Sequence, residues 1–204
     1  VRRAFRIGEL RKLIAAAEVG PEVRGLAGPE RALLYRLAAE TGLRAGELRS
    51  LTRASFDLDG LTVTVEAASA KNRRRDVLPI RAETAALLGE MLTTKMPGAL
   101  VFPIARAEHT SSMIRADLEA AGIDRVDDSG RVLDFHSLRA TCATLLAEAG
   151  VPLTTAQTIM RHSDVRLTAK VYTTRFRESE AAAVDRLPNF SSDEREERES
   201  GAIG

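Results

Sequence analysis

The spacing of apolar residues along the chain predicts a mainly helical protein. Apolar side chains recur at intervals of three and four residues, which is the period of one helix face. Pro29 follows Gly28 at a favourable helix start, and Gly42 can end that helix in a left-handed cap. Helices are predicted over residues 7–18, 28–42, 45–51, 82–92, 111–121, 136–149, 152–160 and 178–186, with a further one that includes residue 172 and begins after Ser163 or Asp164.

One stretch of the chain changes to the period of a strand. Phe56 and Leu58 precede Asp59-Gly60, which is a strong hairpin signal. Residues 61–65 alternate in the manner of a strand, and residues 76–80 read as another after a turn at 71–75. The pattern therefore predicts an α+β fold that is mainly helical, with one small three-stranded antiparallel sheet.

Composition limits the classes of protein to which the chain could belong. Of its 204 residues, 44% are hydrophobic and 29% are charged, which is typical of a globular protein. No apolar run approaches the roughly 20 residues of a membrane span, and no secretory signal is visible, so no membrane association is expected. Cys142 is the one cysteine and lies in an apolar helical run, which predicts a buried core position. Residues 191–204 are acidic and poor in large apolar side chains, so we expect a disordered tail.

The net charge of +1 points to no partner, but the distribution of charge is more informative. A short stretch around the second predicted turn is strongly basic and could contact a phosphate backbone. A solvated basic hairpin would have the same composition. The basic residues of this stretch are Lys71, Arg73, Arg74, Arg75 and Arg81.

A set of polar side chains along the chain could break a phosphodiester without a metal ion. Two guanidiniums can hold a phosphate, and a lysine can protonate a leaving oxygen. Two imidazoles can assist, and a tyrosine can attack once a positive field acts on its hydroxyl, whose ordinary pKa is near 10. These residues are Arg44, Lys71, His136, Arg139, His162 and Tyr172.

Several of these residues also have simpler structural interpretations. Arg44 could be a surface arginine paired with Glu47 three residues later. His136 could cap the start of its helix, and His162 could make a favourable contact with the end of a helix. None of these patterns is specific when taken alone.

The remaining tyrosine and histidine are given no catalytic role. Tyr35 lies in an apolar helix and is predicted to belong to the core. His109 lies in a predicted loop before Thr110-Ser111 and is expected to be incidental.

The ordered set of segments closely resembles the catalytic domain of the tyrosine recombinases, the phage integrase family. The resemblance extends over residues 3–188, nearly the whole chain. It rests on Thr41-Gly42-Leu43-Arg44-Ala45-Gly46-Glu47-Leu48, His136-Ser137-Leu138-Arg139, Arg161-His162-Ser163-Asp164 and Lys170-Val171-Tyr172-Thr173. The family usually has glycine where Arg161 stands, so a non-glycine residue must end that helix here, and a left-handed backbone would strain it.

The resemblance implies a role for each matching residue. Arg44, with His136 and Arg139, would hold the scissile phosphate, and Glu47 would support the local structure. Lys71, at the hairpin tip, would act on the leaving 5′ oxygen, and Arg73, Arg74 and Arg75 would contact DNA. His162 would donate a hydrogen bond to a non-bridging oxygen. Tyr172 would form a 3′-phosphotyrosine and release a 5′ hydroxyl, with no metal, ATP or other cofactor.

The resemblance also implies a domain organisation and partners. Residues 1–190 would form the catalytic domain, and the N-terminal core-binding domain of the family is absent from this chain. Double-stranded DNA would be the substrate, bound by a self-associated tetramer at a synapse. The predicted helix at 178–186 could dock on a neighbouring protomer or pack on its own domain. A cytoplasmic protein of a prokaryote, phage or mobile element is expected.

The sequence thus predicts a site-specific recombinase or integrase that cleaves and rejoins DNA through Tyr172. One alternative is a type IB topoisomerase-like enzyme, which relaxes DNA by the same chemistry without strand exchange. Another is a DNA-binding module that keeps the fold but has lost catalysis.

Overall fold

The described part of the chain in the computed structural model, residues 1–70, 73–96, 98–161 and 164–176, forms eight α-helices and one small sheet. The helices are α1 (Ile7–Val19), α2 (Gly28–Thr41), α3 (Ala45–Ser50), α4 (Ala82–Leu92), α5 (Ala107–Ala120), α6 (Ser137–Glu148), α7 (Leu153–Met160) and α8 (Val165–Phe176). The strands are β1 (Phe56–Asp57), β2 (Thr62–Val65) and β3 (Asp76–Pro79). This architecture confirms the predicted mainly helical α+β fold.

The sheet has the predicted order and direction. β2 lies in the middle and pairs antiparallel with β1 and β3, so that Val63 faces Phe56 on one side and Leu78 on the other. Val63, Val65 and Leu78 are buried, while the residues between them are more exposed, as expected for a sheet with one face on the core. The sheet therefore holds the chain on both sides of the basic turn.

One helix start was predicted wrongly. α5 begins at Ala107 and not at residue 111, so His109 lies in a helix and not in a loop. The first turn of α5 carries no large apolar residue, and its N-cap residue, Arg106, makes no capping hydrogen bond with its side chain. Glu108 in the first turn is an acidic start signal, but no cap and no apolar spacing accompany it, so the start was missed.

The main core surrounds α2, which is buried on most of its surface. Arg31 in this helix forms a completely buried ion pair with Asp117 of α5, with two hydrogen bonds of 2.9 Å. The hydroxyl of Tyr35 donates to the same carboxylate at 2.6 Å. Tyr35 is thus a core residue, as predicted, and its hydrogen bond satisfies a buried polar group.

A smaller apolar region lies where α6, α7 and α8 meet. Cys142 is buried there with Met160, which confirms its predicted core position. Ala147, Ala156 and Tyr172 form the adjoining cluster. This region therefore fixes the position of α8 and of the tyrosine that it carries.

Two sequence predictions fall on other parts of the chain. The helix expected at 178–186 and the tail at 191–204 lie outside the described residues. None of the helices within the described ranges is long and apolar enough to cross a membrane.

Candidate active site

Arg44 lies at the junction of α2 and α3. Gly42 ends α2 with a φ of 64°, and Arg44 is the N-cap residue of α3. The backbone N–H of Arg44 donates to Oε2 of Glu47 at 2.8 Å, and its guanidinium donates to Oε1 at 3.1 Å. The Arg44 side chain is 27% exposed, so it is held in direction and can still reach a ligand.

Arg139 approaches the same junction from α6. Its side chain is buried, and its two terminal nitrogens donate to the backbone carbonyls of Gly42 and Met160. It thereby ties α6 to the ends of α2 and α7. Burial lowers the pKa of Arg139 to about 10, and the positive charges of Arg44 and Arg161 add to this effect. An anion at this position would relieve the repulsion between these guanidiniums.

Arg161 ends α7 with a left-handed backbone, at φ 52° and ψ 41°, which is the conformation that would strain a non-glycine residue there. Its side chain is only 6% exposed and donates to Oε2 of Glu47 at 2.7 Å. Its other arm reaches Asp76 at the start of β3, at 3.5 Å. The sequence pattern indicated strain at Arg161 but gave no role to its side chain, which in fact joins the site.

Glu47 is the common partner of two arginines. The carboxylate is 2% exposed and accepts hydrogen bonds from both Arg44 and Arg161. Burial acts to raise the pKa of Glu47, but the hydrogen bonds from Arg161 and Arg44 outweigh it, so the pKa lies below its ordinary value. Glu47 therefore stays ionised and fixes the two cations around it.

His136 stands directly before α6, at the N-cap position, but its side chain does not cap the helix. Asp134 and Ser137 form the hydrogen bonds at this helix start instead. The backbone N–H of each donates to the side-chain oxygen of the other, at 3.0 Å. Partial desolvation lowers the pKa of His136, and the charges of Arg2 and Arg139 lower it further. The imidazole is thus neutral at pH 7 and free of a capping role.

Tyr172 is buried between α6, α7 and α8. Its hydroxyl donates to the backbone carbonyl of Val151 at 2.6 Å, and its ring packs with Ala147 and Ala156. Burial raises the pKa of Tyr172. The sequence predicts that a positive field activates this phenol, whereas in this conformation it is protonated and enclosed.

The basic turn between β2 and β3 is only partly described. Arg73, Arg74 and Arg75 are exposed, and Arg75 lies 3.4 Å from the carboxylate of Glu66. Lys71 and His162 lie outside the described residues. The exposed arginines leave open both interpretations of this turn, as a DNA contact or as a solvated hairpin.

The structure thus brings part of the predicted set together. Arg44, Glu47 and Arg139 meet where α2 ends and α3 begins, and His136 shares their electrostatic environment. The sequence analysis did not identify two groups that contact site residues, which are the carboxylate of Asp76 and the backbone carbonyl of Val151. Arg161, an arginine where the family usually has glycine, was the sequence signal that could have pointed to the contact with Asp76. Across the described ranges, no three His, Cys, Asp or Glu side chains are grouped as a metal site would require.

The mainly helical fold and the arginine cluster are those expected of a tyrosine recombinase catalytic domain, and comparison with known families identifies the family. The chain belongs to the phage integrase family, whose sequence profile matches residues 4–178.

Two curated relatives are tyrosine recombinases. The tyrosine recombinase XerA of Saccharolobus solfataricus is 30% identical over 141 residues, which cover 69% of this chain and 44% of the relative. The XerC-like tyrosine recombinase of Caldanaerobacter subterraneus is 25% identical over 203 residues, covering 79% of this chain and 50% of the relative. The chain spans about half the length of these curated relatives.

Solved structures support the same fold. A crystal structure of XerA recombinase has a TM-score of 0.68 at 23% identity and covers 91% of this chain and 66% of that one. The catalytic domain of bacteriophage HP1 integrase has a TM-score of 0.66 at 19% identity, covering 94% and 98%. A XerH recombinase bound to difH DNA in a post-cleavage complex has a TM-score of 0.68 at 21% identity, covering 91% and 54%. At these identities the likeness establishes the fold alone.

Proposed function

We propose that this chain cleaves and rejoins double-stranded DNA in site-specific recombination, with Tyr172 as the nucleophile. The observation that carries the proposal is the cluster of Arg44, Glu47 and Arg139 in a chain of the phage integrase family. A guanidinium carries five N–H groups in a planar fork, so two guanidiniums suit the two non-bridging oxygens of one phosphate. Burial and the positive charges of Arg44 and Arg161 lower the pKa of Arg139, and a bound phosphate would offset both effects.

The proposed reaction conserves the energy of the phosphodiester. The phenolic oxygen of Tyr172 gives up its proton to solvent as it attacks phosphorus. The bond to the 5′ oxygen breaks, and the leaving oxygen takes a proton from Lys71. A different 5′ hydroxyl then attacks the phosphotyrosine and releases Tyr172. Arg44 and Arg139 stabilise the negative charge that develops on the phosphoryl oxygens in both steps. His136 and His162 donate hydrogen bonds to the same oxygens.

Tyr172 must leave its buried position before it can attack. Its hydroxyl is bonded to Val151, and burial raises its pKa, so the described conformation is a resting one. DNA binding would supply the contacts that favour an alternative position of α8. We further propose that four copies assemble on two DNA sites inside the cell, since strand exchange requires paired active sites.

Covalent trapping tests the proposed cleavage. The chain is incubated with a library of nicked duplexes from which the cleaved 5′ end diffuses away, and adducts that resist SDS are collected. We expect an adduct that Tyr172→Phe abolishes, with the nucleotide attached to the tryptic peptide of residues 171–175. Sequencing the trapped DNA would give the target site.

The trapping experiment also separates the alternatives. Binding without an adduct, from a protein of native circular dichroism, would support a silent DNA-binding module. An adduct followed by relaxation of supercoiled DNA, without exchange between two sites, would support a topoisomerase-like enzyme. The named relatives are recombinases, which favours strand exchange.

A further inference from the structure

We propose that Arg161 is a positioning residue for DNA cleavage, whose guanidinium bridges Glu47 and Asp76 and thereby fixes the carboxylate that orients Arg44. The inference rests on the proposed function and names a residue that the reaction needs without direct contact with the phosphate. It concerns a side chain at a position where glycine would fit the left-handed backbone with less strain.

The backbone at Arg161 indicates that the side chain is retained for a purpose. A φ of 52° costs conformational energy in any residue with a Cβ, and glycine would remove that cost. Arg24 has a similar φ of 56°, but it is exposed and lies in the loop before α2. At Arg161 the strained backbone instead directs a long side chain into the interior. Strain that persists at such a position is a recognised mark of functional sites.

The hydrogen bonds at Glu47 show how Arg161 acts on Arg44. Oε2 of Glu47 accepts from the guanidinium of Arg161 at 2.7 Å and from the backbone N–H of Arg44 at 2.8 Å. Oε1 then faces the guanidinium of Arg44 at 3.1 Å. Arg161 thus fixes the rotation of the carboxylate. Without it, Oε2 would keep one donor, and the direction of the Arg44 guanidinium would be less well defined.

The same turn of chain also engages the second phosphate-binding arginine. Met160, directly before Arg161, accepts a hydrogen bond from Arg139 through its carbonyl. Two consecutive residues at the end of α7 therefore hold Arg139 and, through Glu47, Arg44. Asp76 adds a contact to the first residue of β3, which directly follows the basic turn. Arg161 consequently links three elements around the candidate phosphate position.

The test compares Arg161→Gly with a matched control, Arg24→Gly, in the full 204-residue chain. Both substitutions replace a left-handed arginine with glycine, but only the first removes contacts with Glu47 and Asp76. Adduct formation is followed under single-turnover conditions over a range of concentrations of the trapped duplex. We expect Arg161→Gly to lower the saturating cleavage rate at least about tenfold while the half-saturating DNA concentration changes less than about threefold. Arg24→Gly should retain the parental rate.

A third variant keeps the test decisive if Arg161→Gly folds poorly. Arg161→Lys retains the charge and can reach Glu47, but a single ammonium lacks the planar fork that also reaches Asp76. We expect an intermediate rate, which a purely structural role of the arginine would not predict for a variant of unchanged melting temperature. A parental rate in folded Arg161→Gly or in Arg161→Lys would overturn the inference.

The result for the parent distinguishes the two proposals. A parent that forms the adduct while Arg161→Gly forms it equally fast removes the positioning role and leaves the proposed function intact. A parent that binds DNA and forms no adduct removes the proposed function, and the positioning role with it.

Discussion

The candidate site gathers three arginines near Glu47, and the way each arginine is compensated explains the chemistry of the site. Arg44 and Arg161 both bond Glu47, while Arg139 is bonded to backbone carbonyls, which carry only partial charge. Charges buried without full compensation are costly, and an incoming anion recovers part of that cost. Glu47 is therefore the structural centre of the cluster, and Arg139, which is bonded to carbonyls, keeps the cluster cationic.

We predict that Glu47→Gln destabilises the protein and removes part of its acid sensitivity. Glutamine has a similar shape but leaves Arg44 without its carboxylate and Arg161 with Asp76 alone. It also turns an N–H₂ toward their donors, at a cost of about 2–4 kcal/mol. Because the folded pKa of Glu47 lies below its ordinary value of 4.5, its contribution is present above pH 4.5 and is lost as the pH falls through the folded pKa. Urea unfolding of both proteins from pH 7 to pH 3 measures this difference.

The quantity to follow is the difference in unfolding free energy between the parent and Glu47→Gln at each pH. It should be largest near neutral pH and shrink toward pH 3, because the parent loses the charge that the variant already lacks. A constant difference across the pH range would contradict the assignment of this carboxylate as an ionised partner of the arginines.

Local sequence could identify some residues of this cluster but not all of its contacts. Arg44 and Glu47 are three apart on one short helix, so their pairing follows from helix geometry. Arg161 and Glu47 are separated by 114 positions, and spacing rules do not extend beyond one element. The enclosure of Tyr172 was equally hidden, because it depends on how α8 packs and on a carbonyl that every residue possesses.

At the scale of elements, the bounds of helices and strands were predicted correctly where local sequence chemistry determines them. Pro29 in the first turn and Gly42 after the last define α2, and alternating β-branched residues define β2. The prediction of where α5 starts was wrong because Arg106 provides no cap and apolar spacing begins only later in the helix. Packing, and not local signals, extends that helix toward its N-terminus.

We predict that Gly42→Ala disturbs the joint between α2 and the candidate site. A Cβ on Gly42 would lie 3.0 Å from Sδ of Met160 and 3.4 Å from Sγ of Cys142, at a φ of 64°. The backbone alone would cost about 1–2 kcal/mol, and the contact adds to it. Displacing Met160 would also disturb the carbonyl to which Arg139 donates.

Gly122→Ala is the matched control for this joint. Gly122 has the same φ of 64°, and its added Cβ would meet nothing within 4 Å. In urea unfolding, both variants should lose the free energy that the left-handed backbone costs a residue with a Cβ. Only Gly42→Ala should show an additional loss of unfolding free energy, from its contact with Met160. Equal losses would show that the close approach at Gly42 is easily accommodated and does not couple α2 to α7.

At the scale of the whole molecule, a buried charge pair outside the candidate site ties α2 to its neighbours. Arg31 is 0% exposed and forms a bidentate pair with Asp117, and burial together with the Asp117 charge raises the pKa of Tyr35 well above 10.0. This cluster joins α2 to α5 and to the loop between α1 and α2 through the carbonyls of Pro21 and Leu26. Since α2 ends at the site, the arrangement that holds α2 also sets where Arg44 lies.

We predict that Asp117→Asn costs about 3–5 kcal/mol, because it leaves a buried guanidinium without a counter-charge. A loss of that size is a large share of the roughly 5–15 kcal/mol that stabilises a domain. Glu83→Gln provides the control, since its pair with Arg36 at 2.8 Å has side chains 60% and 32% exposed and should contribute no more than about 1 kcal/mol. Urea midpoints at constant slope measure both. Comparable small losses would mean that the fold depends on apolar burial around α2, and that the buried pair contributes specificity without stability.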